Sequence, residues 1–242
     1  PALFGHAVDM AFLLFLAARL PDLQASRRVF AAGVAFVAAC QLAYVSGVMN
    51  MAMLVAALAV CLWLERPVSP ARGLRVLAMG LAGSLVSLVL YYRDFLSMLS
   101  DVLPRIAGGA AAASRYPTQP FLSVVAARTH DFFDGVYPLL ALGGLALLVA
   151  RGVGRSLLLA WTATYFALLL GRAKVPDLFL HGHETLFFTP FVCLAAGEAL
   201  AALAAWKGTP SRVAAGLVAA FLAVQGLVGQ WRALADQLGN AL

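Results

Sequence analysis

Eight apolar stretches, each near the length that a helix needs to cross a bilayer, follow one another along this chain with polar connections between them. About 20 apolar residues in a helix cross the roughly 30 Å hydrocarbon layer. Inside that layer the backbone must pair its own N–H and C=O groups, and a single apolar stretch does so as a helix. The windows run over 2–18, 29–46, 48–64, 74–92, 136–150, 155–171, 186–206 and 213–230. The expectation is an all-α fold, a polytopic transmembrane helix bundle of about eight spans, making a single transmembrane domain of 1–242. With 63% hydrophobic and 12% charged residues, the composition lies outside the range of soluble globular domains.

The connections set an orientation. Arg and Lys gather in the short cytoplasmic loops of membrane proteins, and one set of loops here holds Arg19, Arg27, Arg28, Arg66, Arg72, Arg75, Arg151, Arg155, Lys207 and Arg212. The opposite set holds Arg172, Lys174 and Arg232 outside the long 93–135 segment, whose length exempts it from the rule. The first set is therefore expected on the cytoplasmic side, with both chain ends outside. The net charge of +6 then has a topological cause and gives no reason to expect nucleic acid as a partner.

The same orientation sends His6, His130, His181 and His183 outward, together with most of the acids. Topology does not require that, so the functional face is expected on the outer side. The long extracytoplasmic loop 93–135 contains two stretches with helical apolar spacing, 91–106 and 121–138. They are expected to lie along the interface as amphipathic helices, joined by the flexible Ala/Gly run at 107–113. Cys40, Cys61 and Cys193 stand alone inside apolar segments and read as packing residues. The chain starts at Pro1, already within an apolar stretch, and resembles the middle of a longer protein.

The densest polar stretch within a short connection is RAKVPDLFLHGHETLFFTPFVCLAAGE, residues 172–198. His181, His183 and Glu184 form H-x-H-E just before a span. Histidines two apart can bind a metal, but a third ligand is lacking and the spacing is not that of HExxH enzymes. Alternatively, these residues begin a helix, with Glu184 near the positive end of its dipole. A third reading, favoured here, has Arg172, Lys174, His181 and His183 recognise a phosphate or sugar, because cations and N–H donors suit a lipid-linked phosphate at the membrane surface. Tyr91, Tyr92, Arg93 and Asp94 stand at the outer end of the fourth span, either as aromatic belt and local ion pair or with Arg93 facing a lipid phosphate. His6 and Asp9, three apart, share a helix face. A carboxylate within an apolar run is a functional candidate, and with a histidine beside it Asp9 is a candidate general base. Glu198 lies deeper and is expected to pair with a polar group on a neighbouring helix.

An outer polar site on a bundle of spans, with YYRDF before a long loop and RAKVPDLFLHGHETLFFTPFVCLAAG leading into a late span, resembles the C-terminal part of bacterial GT-C-type glycosyltransferases, the superfamily of protein mannosyltransferases and aminoarabinose transferases. The resemblance implies transfer of a sugar from a polyprenyl-phosphate donor to an acceptor at the outer face of a bacterial inner membrane, by an inverting displacement. It implies that basic residues of later outer loops hold the donor phosphate, matched here by Arg172, Lys174, His181 and Arg93, with Tyr92, His183 and Glu184 around them. The family's base belongs to an acidic pair in a first outer loop. No such loop is present, which leaves Asp9 or a segment upstream. No cofactor is implied, and a divalent metal has no support beyond the histidine spacing. The competing expectations are a lipid or solute transporter or flippase, with polar residues continuing down the spans, and a non-catalytic assembly subunit. A haem- or quinone-binding subunit ranks last, since its histidines would face each other within spans.

Overall fold

The computed structural model of the chain describes residues 2–65, 70–95, 117–132, 137–152, 154–176, 183–206 and 208–239. Over these residues the protein is all-α. The helices are α1 (Ala2–Arg19), α2 (Arg27–Ala43), α3 (Val45–Leu64), α4 (Pro70–Leu90), α5 (Phe121–Phe132), α6 (Tyr137–Ala150), α7 (Arg155–Lys174), α8 (His183–Ala205) and α9 (Thr209–Gly239), with 3₁₀ turns at Leu20–Leu23 and Tyr92–Phe95. Each of the eight apolar windows falls on a helix. Five helices contain a stretch long and apolar enough to cross a membrane: Phe4–Leu23, Gly47–Leu64, Ala71–Leu90, Arg155–Lys174 and Phe187–Ala205. That is the character of a multi-pass membrane protein. Among the described residues the other three windows give no such stretch: α6 is helical over 14 residues, about 21 Å at 1.5 Å per residue, α2 has 17 residues and starts on two arginines, and α9 is apolar over at least Thr209–Gln225 of its 31 residues.

Of the two expected interfacial helices, the second begins as α5 at Phe121, with Val124 buried and Leu122 exposed. The first is described only as its opening turn, Tyr92–Phe95, and the remainder of 91–106 lies outside the described residues, as does the 107–113 run.

The chain divides into two compact units, Pro1–Arg128 with Gly154–Pro190, and Thr129–Val153 with Phe191–Leu242. In the first unit α2 and α4 run parallel, Gly33 facing Met79 and Gly83 facing Val37. Helix α3 runs against α4, Gly80 meeting Val55, and also packs along α7. These approaches are close enough that side chains are excluded. A Cβ at Gly73 would stand 2.8 Å from the Ala59 carbonyl oxygen, and one at Gly83 would stand 2.6 Å from the Val37 Cβ. Small residues permit such contact where lipid offers no hydrophobic drive to bring helices together. Phe12, Leu16, Leu54, Leu58, Met79 and Leu168 fill the interior, while Leu74, Leu77, Leu81 and Leu85 line the outer face of α4. Exposed leucines at helical spacing are what lipid, not water, would cover.

Local chemistry fixes where the helices begin and end. The Ser26 hydroxyl accepts from the Val29 amide at 3.3 Å and caps α2. Tyr44, in extended backbone, ends α2 and starts α3 at once, its carbonyl accepting from the Gly47 amide at 2.8 Å. Gly154 takes a left-handed conformation (φ 57°) before α7, which a Cβ would disfavour.

Two ends of the first unit follow from this packing. At one end lie Arg19, which pairs with Asp22 at 3.3 Å, and Arg75, whose Nε donates to the Leu23 carbonyl at 2.9 Å while its guanidinium covers the Phe30 ring. The Ser156 hydroxyl donates to the Glu65 carboxylate there, bringing the start of α7 and Arg155 to the same end. In the second unit, Gly144 of α6 meets the Ala195 carbonyl of α8, and Arg151 pairs with Glu198. Glu198 thus has the polar partner that its depth in an apolar helix demands.

Candidate functional site

The opposite end of the first unit gathers polar side chains that the apolar spans carry singly. On α1, His6 and Asp9 project from one face. Helix α1 runs against α2, Phe12 and Phe15 packing on Phe36, so that its first turns meet the Tyr44 hinge. A Cβ at Gly5 would stand 2.5 Å from the Tyr44 Cβ, and the His6 and Tyr44 rings lie 5.9 Å apart.

Asp9 is 1% exposed. Its Oδ2 lies 3.8 Å from His6 Nδ1 and accepts a long hydrogen bond of 3.5 Å from Asn50 Nδ2 on α3. The buried Cys40 of α2 stands beside the carboxylate. Its other oxygen, Oδ1, is buried without a hydrogen-bond partner among the described residues. Helix geometry puts Asp9 about 10 Å in from the start of α1 and Asn50 about 8 Å in from the start of α3. Both lie within the apolar segments, not at their rims.

A second polar group joins α2 to α4. Gln41 Nε2 donates to Ser84 Oγ at 2.8 Å, the Ser87 hydroxyl donates to Gln41 Oε1, and the Tyr92 hydroxyl donates to the Gln41 carbonyl at 2.8 Å. Tyr92 lies beyond the end of the apolar stretch of α4. There burial first, and neighbouring Tyr91 second, push its phenol above the ordinary value. Arg93, next in the turn, is exposed.

Helix α7 brings the remaining described cations. It is as long as α3, at 20 residues each, and the Ser156–Glu65 contact fixes its start beside the end of α3. Its last turn, with Arg172 half-buried and Lys174 exposed, therefore lies level with the start of α3 and the Tyr44 hinge. The Gln119 amide donates to the Ala173 carbonyl at 3.0 Å and ties the approach to α5 to the same place. Helix α8 begins alongside α7. Trp161 Nε1 donates to the Phe187 carbonyl at 3.2 Å, and Tyr165 stacks on Phe188 with centroids 4.1 Å apart.

Of the residues expected from the sequence to form the site, the structure brings Asp9, Tyr92, Arg93, Arg172 and Lys174 to one end of one unit. His181 lies outside the described residues. His183 and Glu184 begin α8, and their side chains lie outside the description too. His6, expected as a neighbour of Asp9, is one. The sequence reading passed over Asn50, Gln41, Ser84 and Ser87 and read Cys40 as packing alone. A signal existed for Asn50 and Gln41, since a lone amide in an apolar span needs a polar partner. Among the described residues no three His, Cys, Asp or Glu side chains come together as metal ligands.

In comparison with known proteins, the chain matches no family model, no curated protein and no solved structure.

Proposed function

We propose that this protein is a membrane glycosyltransferase of GT-C type, moving a sugar from a polyprenyl-phosphate donor to an acceptor at the outer face of a bacterial inner membrane. One observation carries the proposal. A carboxylate with an adjacent histidine, Asp9 and His6, stands at the same end of one helical unit as the cations Arg93, Arg172 and Lys174, opposite the end that collects Arg19, Arg75 and Arg155. Arginine-rich ends face the cytoplasm, so the Asp9 end is the outer one in this topology of eight helical spans. Helix α5 lies along the interface above it.

In the displacement, an acceptor hydroxyl attacks the anomeric carbon and the bond to the phosphate oxygen breaks. The lipid phosphate departs, and the hydroxyl proton passes to a base. Charge grows on the departing phosphate, where preorganised cations act most. Arg172 and Lys174, with Arg93, His181 and His183, serve that role, Glu184 and Tyr92 position them, and Asp9 with His6 is the candidate base. Alanine at both Arg172 and Lys174 should lower turnover of a polyprenyl-phosphate sugar by about 100-fold while expression and detergent stability hold. Unchanged turnover refutes a donor-phosphate site. Gly182→Cys should react with an impermeant thiol reagent added outside, and labelling from the cytoplasm alone overturns the topology.

A second reading, a transporter or flippase, draws on the polar groups inside the spans, with Asp9 and Asn50 buried in α1 and α3 and Gln41 in α2. Deeper in the first unit the buried polar side chains among the described residues are Thr164, whose hydroxyl donates to the Ala160 carbonyl of its own helix, and Ser156, which donates to Glu65 at the arginine end. Flux in proteoliposomes without sugar turnover would favour this second reading.

A further inference from the structure

The arginine end of the first unit carries more positive charge than its own acids offset. Segments 19–28 and 65–75 hold six arginines against Asp22 and Glu65. Asp22 pairs with Arg19, and Glu65 accepts from the Ser156 hydroxyl. The stretch of this end that lies outside the described residues, 66–69, adds Arg66 and no acid. Arg19, Arg27 and Arg28 stand exposed, as cytoplasmic arginines ordinarily do, but Arg72 and Arg75 in the first turns of α4 are half-buried. Arg75 is held in place. Its Nε donates to the Leu23 carbonyl at 2.9 Å, and its guanidinium carbon lies 4.9 Å from the centroid of Phe30, near the start of α2. Its terminal nitrogens meet no acceptor among the described residues. Arg72 lies on the face of Val76, Met79 and Gly83, which α4 turns towards α2. Its Nε is buried and has no hydrogen-bond partner among the described residues, which is costly for a donor shielded from water. Arg72 precedes Arg75 by one turn, and Arg27 precedes Phe30 by one turn. Because α2 and α4 run parallel, both stand about 5 Å nearer the helix starts than the Arg75–Phe30 contact, beside the positive end of the α2 dipole.

We propose that Arg27, Arg72 and Arg75 form a binding site for the phosphate of an anionic membrane phospholipid, seated between the starts of α2 and α4. Guanidinium groups present N–H donors in a fork that matches phosphate oxygens, and Arg75 is preorganised for it by Leu23 and Phe30. The phosphate supplies the acceptor that Arg72 lacks. What favours a lipid over a soluble phosphate is the surface next to the cations. Leu74 and Leu77 of the same turns are exposed, and Leu81 and Leu85 continue that apolar face along α4, so charge at the rim passes directly into surface fit for acyl chains. The cations repel the amine of a zwitterionic headgroup, which selects a headgroup of net negative charge. The site lies at the end opposite Arg172 and Lys174, and it stands whether or not those residues hold a donor phosphate.

The test is native mass spectrometry of the purified full chain in detergent, titrated with phosphatidylglycerol and in parallel with phosphatidylcholine. The wild type should retain phosphatidylglycerol with a preference of about fivefold or more, and Arg72→Gln should weaken that binding by at least as much. Arg27→Gln, at an exposed position that packs against nothing, should weaken it about fivefold. Arg19→Gln, at the same end but already paired with Asp22, should leave it unchanged. Equal retention of the two lipids overturns the proposal. So does a loss in Arg19→Gln as large as that in Arg72→Gln, which is the signature of diffuse surface charge. Displacement of the lipid by excess inorganic phosphate overturns it in favour of a soluble phosphate ligand. Should Arg72→Gln not fold, Arg72→Lys keeps the charge without the fork and should weaken binding severalfold. Unchanged affinity in either Arg72→Lys or Arg27→Gln counts against the site equally.

Discussion

The two ends of the first unit use polar residues in opposite ways. At the arginine end, charges stand at the surface. The pair Arg19–Asp22 has its side chains 60% and 52% exposed, and such pairs contribute little because water screens both partners. At the Asp9 end, beneath the rim that carries Arg93, Arg172 and Lys174, a group of mostly uncharged polar side chains lies inside. Gln41, Asn50, Ser87 and Asp9 are all about 2% exposed or less. The lesson concerns energy per group. A residue facing water at the arginine end has an alternative partner everywhere, whereas one buried at the Asp9 end has only the neighbours that the fold supplies.

That contrast can be broken from several directions. The largest effect is expected for Gly83→Leu, which drives a side chain into Val37 and the Val34 carbonyl and separates the two helices that carry the Gln41 group. A loss of about 3 kcal/mol, near the upper range for overpacking, should appear as a lowered unfolding midpoint in detergent. Next comes Gln41→Leu, which removes the side-chain partner of the Ser84 hydroxyl and leaves the buried Ser87 hydroxyl only the Ser84 carbonyl. About 1–2 kcal/mol should be lost, and Gln41→Glu should not restore it. Tyr92→Phe removes one hydrogen bond near the rim, and its unfolding midpoint should fall by about 0.5–1 kcal/mol equivalent. Smallest is Arg19→Gln, at below about 0.5 kcal/mol, with any effect vanishing in high salt. If Arg19→Gln proved as damaging as Gln41→Leu, the distinction between the two ends would fail.

Much of this was legible in the chain itself. Each apolar window became a helix because a stretch of that length and hydropathy has one way to satisfy its backbone in lipid. The number of spans is where hydropathy says least: five helices carry a described stretch long and apolar enough to cross, while α6 is helical over 14 described residues. The partner of Glu198 was foreseen in kind, though not as Arg151. Asp9 and His6 were readable as neighbours because their spacing is local, three residues on one helix.

What the sequence determined by itself is everything that follows from spacing along one segment. It fixed helical character, the collection of arginines at alternate turns, and the shared face of His6 with Asp9. What the tertiary structure alone decided is which isolated residues of different segments meet. Cys40 and Asn50 arrive at Asp9, Gln41 arrives between Ser84 and Ser87, and Arg172 comes level with the Tyr44 hinge. The physical reason is that lipid-facing and partner-facing positions look alike in an apolar helix. The glycines that let α2, α3 and α4 approach, and the contact of Ser156 with Glu65 that fixes the register of α7, are long-range facts without a local pattern.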